Sequence, residues 1–198
     1  HWAQWPEDMD HFELRWPREK ISIMELLMGA RLSEDSRPRP WREDFRLLPV
    51  MCVYDDIFFM RPILEDMMDI FGEVLVLVSK LPWQGGARDL DETFEILGDT
   101  IADGRYAGKL HVVTGAWACE AEQRNFGNAI ARELPGEFTH VFVVDSDEFW
   151  DLVQLDAALD EIAMQARASK IHIGAVQTRM FTYWKAPVFA VSPMEPLR

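Results

Sequence analysis

Short apolar segments alternate with helical segments along most of this chain, and that alternation restricts the fold more than any other feature. Four runs rich in Val, Leu and Ile have the length of β-strands: 48–54, 73–79, 109–115 and 140–144. Each run is continuously apolar, which indicates strands buried on both faces between layers of helices. The sequence therefore predicts an α/β fold with a doubly wound, mainly parallel sheet and right-handed crossovers.

Helical spacing of apolar residues follows each predicted strand, and glycine or proline marks several of the helix ends. Gly72 ends the first helix as a C-terminal glycine does, and Pro135 and Gly136 close the third. The predicted helices cover 61–72, 89–104, 119–136 and 152–166, and a fifth, longer strand covers 170–185.

Residues 1–46 have a different composition, with four of the eight tryptophans and several prolines. Apolar spacing predicts a short amphipathic helix at 22–32, and Pro38 and Pro40 indicate a linker over 33–44. We therefore divide the chain into an N-terminal Trp- and Pro-rich helical arm with its linker, 1–46, and a main domain, 47–198.

Charge and targeting signals exclude several functional classes. Acidic residues outnumber basic ones by 34 to 20, which argues against a nucleic-acid-binding surface but allows a small phosphorylated substrate held through a divalent cation. No apolar run is long enough to span a membrane, and the first residues do not resemble a secretory signal. Cys52 and Cys119 lie beside apolar segments and are interpreted as buried thiols, so we predict a cytoplasmic protein.

Acidic side chains follow two of the predicted strands, where ligands bind in open α/β sheets. These side chains are Asp55 and Asp56, preceded by Tyr54, and Asp145, Asp147 and Glu148. Residues i and i+2 of an extended segment point the same way, so Asp145 and Asp147 can share one divalent cation, Mg²⁺ or Mn²⁺. The alternative is a solvated acidic turn that caps the next helix, with Asp151 in its first turn.

The block from 120 to 150 resembles the core of GT-A-fold glycosyltransferases, especially the family 2-like group. The resemblance lies in Arg124-Asn125-Phe126-Gly127, an RN-x-G helix, and in a DxDE sequence at a strand end, whose first acid, Asp145, follows Arg124 by 21 residues. It extends over 47 to about 185 and implies a nucleotide-sugar-binding domain. The implied reaction moves a hexose or related sugar from a nucleotide-diphosphate sugar, with UDP favoured, to an unknown acceptor, either a glycan or a lipid-linked molecule.

The resemblance also implies roles for individual residues. Asp145 and Asp147 match the ligands of Mn²⁺ or Mg²⁺, and Arg124 matches a basic residue near the nucleotide. The first-strand end, Tyr54 to Asp56, matches the nucleoside contact. Ser79-Lys80 stands where similar proteins carry an acid that contacts uracil. Inverting members place a catalytic carboxylate downstream of the DxD, and the candidates for catalysis here are Asp147, Glu148 and Glu195, with the acceptor half short or truncated.

Other functions remain open at this point. A non-catalytic GT-A-like module would bind a nucleotide or a partner protein without turnover. A metal-dependent phosphohydrolase of the haloacid dehalogenase type also has a DxD at a strand end, but Phe149 stands where that family has Thr or Val. Residues 181–185, FTYWK, fit either an acceptor-sugar shelf or ordinary strand-edge packing.

Overall fold

A computed structural model describes residues 39–55, 57–83 and 86–176, and within them strands and helices alternate as predicted. The elements are β1 (Leu47–Val53), α1 (Ile57–Phe71), β2 (Val74–Ser79), α2 (Asp91–Ala102), β3 (Leu110–Gly115), α3 (Glu120–Glu133), β4 (His140–Asp145) and α4 (Leu152–Ser169). Single 3₁₀ turns, Pro40–Glu43 and Gly104–Tyr106, precede β1 and β3. The helix predicted at 22–32 lies outside the described residues.

The four strands form one sheet in the order β3-β2-β1-β4, and every neighbouring pair is parallel. The chain passes from β1 through β2 to β3 in one direction and then returns to the other side of β1. A topological switch point therefore lies between β1 and β4, and open α/β sheets bind their ligands in the crevice beyond the carboxyl ends of the strands at such a point.

Helices cover both faces of the sheet, which confirms the doubly wound α/β arrangement. On one face, apolar side chains of β1, β2 and β4 pack with α1, α2 and α4 in the larger core cluster. On the other face, Val50, Cys52 and Leu77 belong to a smaller cluster that Ala131 of α3 and Trp117 complete. Both faces of β1 and β2 are buried.

The edge strands differ from the expectation that every strand is buried on both faces. Val143 of β4 is 43% exposed, and β3 is only partly buried along its length. The reason is that α3 packs over the central strands β1 and β2. The sheet face on the α3 side is therefore less covered at the edge strands β3 and β4.

Helix ends agree with the sequence where a glycine or a cap determines them. Gly72, with φ of +89°, ends α1 and donates its N–H to the carbonyl of Met68. α1 begins four residues before its predicted start, so Pro62 lies inside the helix, where it removes one backbone hydrogen bond without ending the helix.

The predicted fifth strand is not formed where the structure describes it. Residues 171–176 form neither strand nor helix, and 177–185 lie outside the described residues. Lys170 takes a left-handed conformation that ends α4, and Ile171 donates back to the carbonyl of Ala166. Moreover, α4 lies on the same face as α1, so a parallel strand on the free side of β4 would require a left-handed crossover, which proteins almost never use.

Trp41, in the proline-rich segment before β1, is a core residue with only 1% exposure. Its indole N–H donates to Asp156 Oδ1 of α4 at 2.7 Å, and its ring packs edge-on against Phe71 of α1. Arg39 and Arg42 donate to carbonyls at the C-terminal end of α1, where a cation is favourable. This segment therefore joins α1 to α4.

No helix in the described ranges is both long enough and apolar enough to cross a lipid bilayer.

Candidate active site

A tight acidic turn lies at the carboxyl end of β4, beside the end of β1. Asp145, the last residue of β4, is paired in register with Cys52 of β1. The N–H of Glu148 donates to the Asp145 carbonyl at 3.1 Å, and Glu148 Oε2 accepts the Asp145 N–H at 3.1 Å. These reciprocal bonds hold residues 145–148 in one conformation at the switch point, with Ser146 buried and Asp147 exposed.

Glu148 has an altered proton affinity in this turn. Burial raises the pKa of its carboxyl, and the charges of Asp145 and Asp147 act in the same direction, while the hydrogen bond from the Asp145 N–H opposes them. A carboxyl with a raised pKa holds a proton at a higher pH than an ordinary glutamate does, which suits a group that exchanges protons during a reaction.

Arg124 of α3 reaches across to the acidic turn. Its Nη2 lies 2.7 Å from Asp145 Oδ1 and 2.6 Å from Glu120 Oε1, one helical turn earlier. Burial works against the guanidinium charge, but the carboxylates of Asp145 and Glu120 outweigh it and raise the pKa of Arg124. Its Nε is buried and has no hydrogen-bond acceptor within the described parts of the chain. The arginine of the RN-x-G sequence thus contacts the first aspartate of the DxD sequence.

Gly127 explains how α3 comes close enough for that contact. A Cβ at this position would lie 2.7 Å from Leu77 Cδ1 and 2.8 Å from Val50 Cγ1, both on the sheet surface. Gln123, on the same face of α3, donates to the Leu77 carbonyl at 2.6 Å. The glycine lets the helix pack directly on β1 and β2, and Arg124, three residues before it, then lies beside β4.

Gly127→Ala should therefore destabilise the protein by about 1–3 kcal/mol through overpacking, partly offset by about 1 kcal/mol from better helix propensity. Gly98→Ala in α2 is the matched control, since a Cβ there has nothing within 4 Å, and it should be neutral or stabilising. Urea denaturation measures both variants. Equal stability of the two variants would show that α3 does not need the glycine for its approach.

The end of β1 is tied to the loop that follows β2. Arg88 Nη1 lies 2.7 Å from Asp55 Oδ2, and the backbone N–H of Arg88 donates to Tyr54 Oη at 2.8 Å. Asp56 lies outside the described residues. Contacts with Arg88 thus hold the two described members of the predicted nucleoside contact at the end of β1, the strand next to β4.

The ends of β2 and β3 contribute packing to this edge of the sheet. Ser79 is buried and donates its hydroxyl to the Leu81 carbonyl at 2.6 Å. The Lys80 N–H donates to the Gly115 carbonyl, and the ring of Trp117 lies where a Cβ on Gly115 would be. Trp117 also packs against Phe126 of α3, which links the end of β3 to that helix.

Asp151 has a different role from the acids of the turn. Asp151 Oδ1 accepts the N–H groups of Val153 and Gln154, so Asp151 is the N-cap of α4, as the alternative interpretation of the acidic turn expected. Glu195 and residues 181–185 lie outside the described residues. Asp145, Asp147 and Glu148 form one turn, and Tyr54 and Asp55 lie at the neighbouring strand end.

The residues of the turn fit Mg²⁺ or Mn²⁺ in one respect, the chemistry of their donor atoms. Carboxylate oxygens are the ligands that both ions prefer, and Mg²⁺ commonly uses one or two carboxylates and completes its shell with substrate phosphates. Over the described residues, no group of three or more His, Cys, Asp or Glu side chains is placed to hold an ion. A site at Asp145 and Asp147 would therefore depend on phosphate or water oxygens for its other ligands.

Two residues around the site were missed in the sequence. Glu120 lies four residues before Arg124 in α3, and this i, i+4 spacing of opposite charges would have indicated the pair. Arg88 contacts Tyr54 and Asp55 through a separation of more than 30 residues, which no local pattern indicates.

The two cysteines differ in environment. Cys52 is buried, as expected, but the expectation is wrong for Cys119, which is exposed just before α3. Cys119 follows the end of β3 and precedes the first turn of the helix, where the side chain points away from the sheet core.

Thiol labelling at pH 8 should therefore modify Cys119 rapidly and Cys52 slowly. Burial raises the pKa of the Cys52 thiol to about 11 from an ordinary 9.0, so its thiolate is roughly a hundredfold rarer than in an ordinary cysteine. A chromogenic disulfide reagent counts the two classes, and Cys119→Ser identifies the fast one. Rapid labelling of Cys52 in the native protein would contradict its burial.

Comparisons of the chain with protein-family models, with curated proteins and with solved structures gave no match. The functional interpretation therefore depends on the arrangement of side chains at the switch point.

Proposed function

We propose that the protein is a GT-A-like glycosyltransferase that transfers a sugar from a nucleotide-diphosphate sugar to an acceptor, assisted by Mn²⁺ or Mg²⁺. The observation that carries the proposal is the meeting of three groups at the switch point: the acidic turn of β4, Arg124 and the Tyr54–Asp55 strand end. A crevice with cation-binding carboxylates on one side and polar side chains on the other suits a ligand with a diphosphate and a nucleoside.

In this proposal Asp145 and Asp147 hold the metal ion, which supplies positive charge to the diphosphate leaving group when it is bound. Tyr54 and Asp55 orient the nucleoside, and their contacts with Arg88 preorganise them for that role. Arg124 adds a second positive charge at the same place. An acidic protein with a net charge of −14 can bind an anionic donor because these two cations change the sign of the local field.

Glu148 is the described carboxyl best suited to exchange a proton with the acceptor. It belongs to the acidic turn, burial raises its pKa, and its Oε2 accepts the N–H of Asp145. Glu195 stays a second candidate base. The UDP preference and the glycan or lipid-linked acceptor remain parts of the proposal that rest on the family resemblance.

A thermal-shift screen of UDP-, GDP-, CDP- and dTDP-sugars, each with and without Mn²⁺, tests the proposal most directly. A ligand at about 100 times its Kd adds about 2.7 kcal/mol of stability, which such a screen detects. We expect stabilisation by one nucleotide class that requires Mn²⁺, together with slow release of the free nucleoside diphosphate. The absence of any metal-dependent stabilisation would contradict the proposal.

A second candidate is a GT-A-like module that binds a nucleotide or a partner without turnover. The internal pairing of Asp145 with Arg124 favours it, because this ion pair already neutralises one of the two proposed metal ligands. Stabilisation by a nucleotide without release of nucleoside diphosphate, with several acceptors present, would support this candidate over the enzyme.

A further inference from the structure

Arg124 places a positive charge against Asp145, the first of the two proposed metal ligands. Its Nη2 is 2.7 Å from Asp145 Oδ1, a charge-assisted hydrogen bond, and the two side chains are only about one-third exposed. A divalent cation that binds Asp145 through Oδ1 would compete with this guanidinium, because two cations at contact distance from one carboxylate oxygen repel each other strongly.

Glu120 provides a second carboxylate for the same nitrogen. Glu120 Oε1 lies 2.6 Å from Arg124 Nη2, and the two residues are one turn apart on α3. If a divalent cation binds Asp145 in place of Arg124, the guanidinium still has Glu120 as a partner and stays beside the crevice. The Nε of Arg124 is buried and has no hydrogen-bond acceptor in the described ranges, so the present position of the guanidinium leaves one of its donors unsatisfied.

We infer that Arg124 is the internal counter-cation of Asp145, that a divalent cation displaces it, and that Glu120 is the positioning residue that keeps the displaced guanidinium at the site for a diphosphate. The inference rests on the proposed function for its ligands, but it concerns an exchange of cations that the proposed function does not require. Metal and diphosphate would then bind cooperatively, since the ion frees the arginine for the phosphates.

Arg124→Gln should increase the affinity for Mn²⁺ and decrease the affinity for UDP. Removal of the competing cation should tighten the binding of Mn²⁺ alone by about tenfold, equivalent to about 1.4 kcal/mol. The same variant should bind UDP in the presence of saturating Mn²⁺ about tenfold more weakly, since a charge-assisted contact to phosphate is lost. Isothermal titration calorimetry measures both. Arg132→Gln, with the same charge change on the exposed side of α3, should change neither.

Glu120→Gln tests the positioning role and does not depend on whether Arg124→Gln folds. Without Glu120 the guanidinium has only Asp145 as its partner, so Mn²⁺ should bind several-fold more weakly than to the wild type. Glu122→Gln removes an equal charge from the same turn, where Glu122 accepts the Ala118 N–H and does not contact Arg124, and it should leave Mn²⁺ affinity unchanged.

The outcomes separate this inference from the proposed function. Unchanged or weaker Mn²⁺ binding by folded Arg124→Gln would overturn the exchange, while the proposed function would stand if the wild type still released nucleoside diphosphate. Equal effects of Glu120→Gln and Glu122→Gln would overturn the positioning role. Tighter Mn²⁺ binding by Arg124→Gln in a protein that shows no transfer would support the exchange and count against the enzyme. No Mn²⁺ binding by the wild type or any variant, either alone or in the presence of UDP, would overturn both.

Discussion

Replacing Asp147 with Asn should lower metal-dependent donor binding and sugar transfer by on the order of a hundredfold or more, with the fold intact. In the proposed site Asp147 is one of two carboxylate ligands, and loss of a ligand charge removes both metal affinity and stabilisation of the leaving diphosphate. Asp147 is exposed, so the substitution should change the free energy of unfolding by less than about 0.5 kcal/mol. Calorimetry with Mn²⁺ and UDP, and release of nucleoside diphosphate, measure the loss.

Asp145→Asn should have a comparable effect on transfer, although it also breaks the ion pair with Arg124. Asp151→Asn is the matched control, because it makes the same chemical change four residues beyond Asp147 at a helix N-cap that Asn also fills well. We expect this control to retain full activity. If Asp145→Asn and Asp147→Asn both kept metal-dependent turnover, the acidic turn would not be the metal site.

Trp41→Ala should destabilise the protein by about 3–5 kcal/mol, the largest loss of stability that we expect from a single substitution. The ring is fully buried between α1 and α4, and its removal leaves a cavity against Phe71 and an unpaired Asp156 oxygen. Since many domains are stable by only about 5–15 kcal/mol, the variant should unfold at a much lower urea concentration.

Two further variants show whether the loss comes from burial. Trp83→Ala makes the same change at a tryptophan that is 40% exposed and should cost less than about 1 kcal/mol. Trp41→Phe keeps an aromatic ring but removes the indole donor to Asp156, so its stability should lie between those of the wild type and Trp41→Ala. A small loss for Trp41→Ala would show that the segment before β1 does not join α1 to α4 in solution.

Local pattern was sufficient to predict the regular elements because each depends mainly on nearby residues. Continuous apolar runs indicated all four strands, and Gly72 marked the end of α1 through the conformation that glycine readily adopts. The segment 170–185 shows the limit of this reasoning. Its first residues are apolar enough for a strand, but strand formation requires a partner edge, and the position of α4 on the α1 face made the expected pairing unfavourable.

The burial of individual side chains was predicted less well from the local sequence, because it depends on which other elements of the fold pack against each residue. The prolines around Trp41 excluded a continuing helix but did not show that the ring lies in the core. Val143 belongs to an apolar run as continuous as that of β2, yet it is exposed because α3 packs over the centre of the sheet. Cys119 was similarly misplaced, since its apolar neighbours do not determine the direction of its side chain.

For the candidate site, the sequence alone placed Asp145, Asp147 and Glu148 in one turn after a buried strand, because three residues so close in the chain cannot separate. It also determined the α/β class, since the spacing of apolar residues selects strand or helix. Only the tertiary structure decided that this turn follows the strand next to the one that ends in Tyr54 and Asp55, and that Arg124 pairs with Asp145. These contacts depend on strand order and on the close approach of α3 at Gly127, which are set by packing between distant segments.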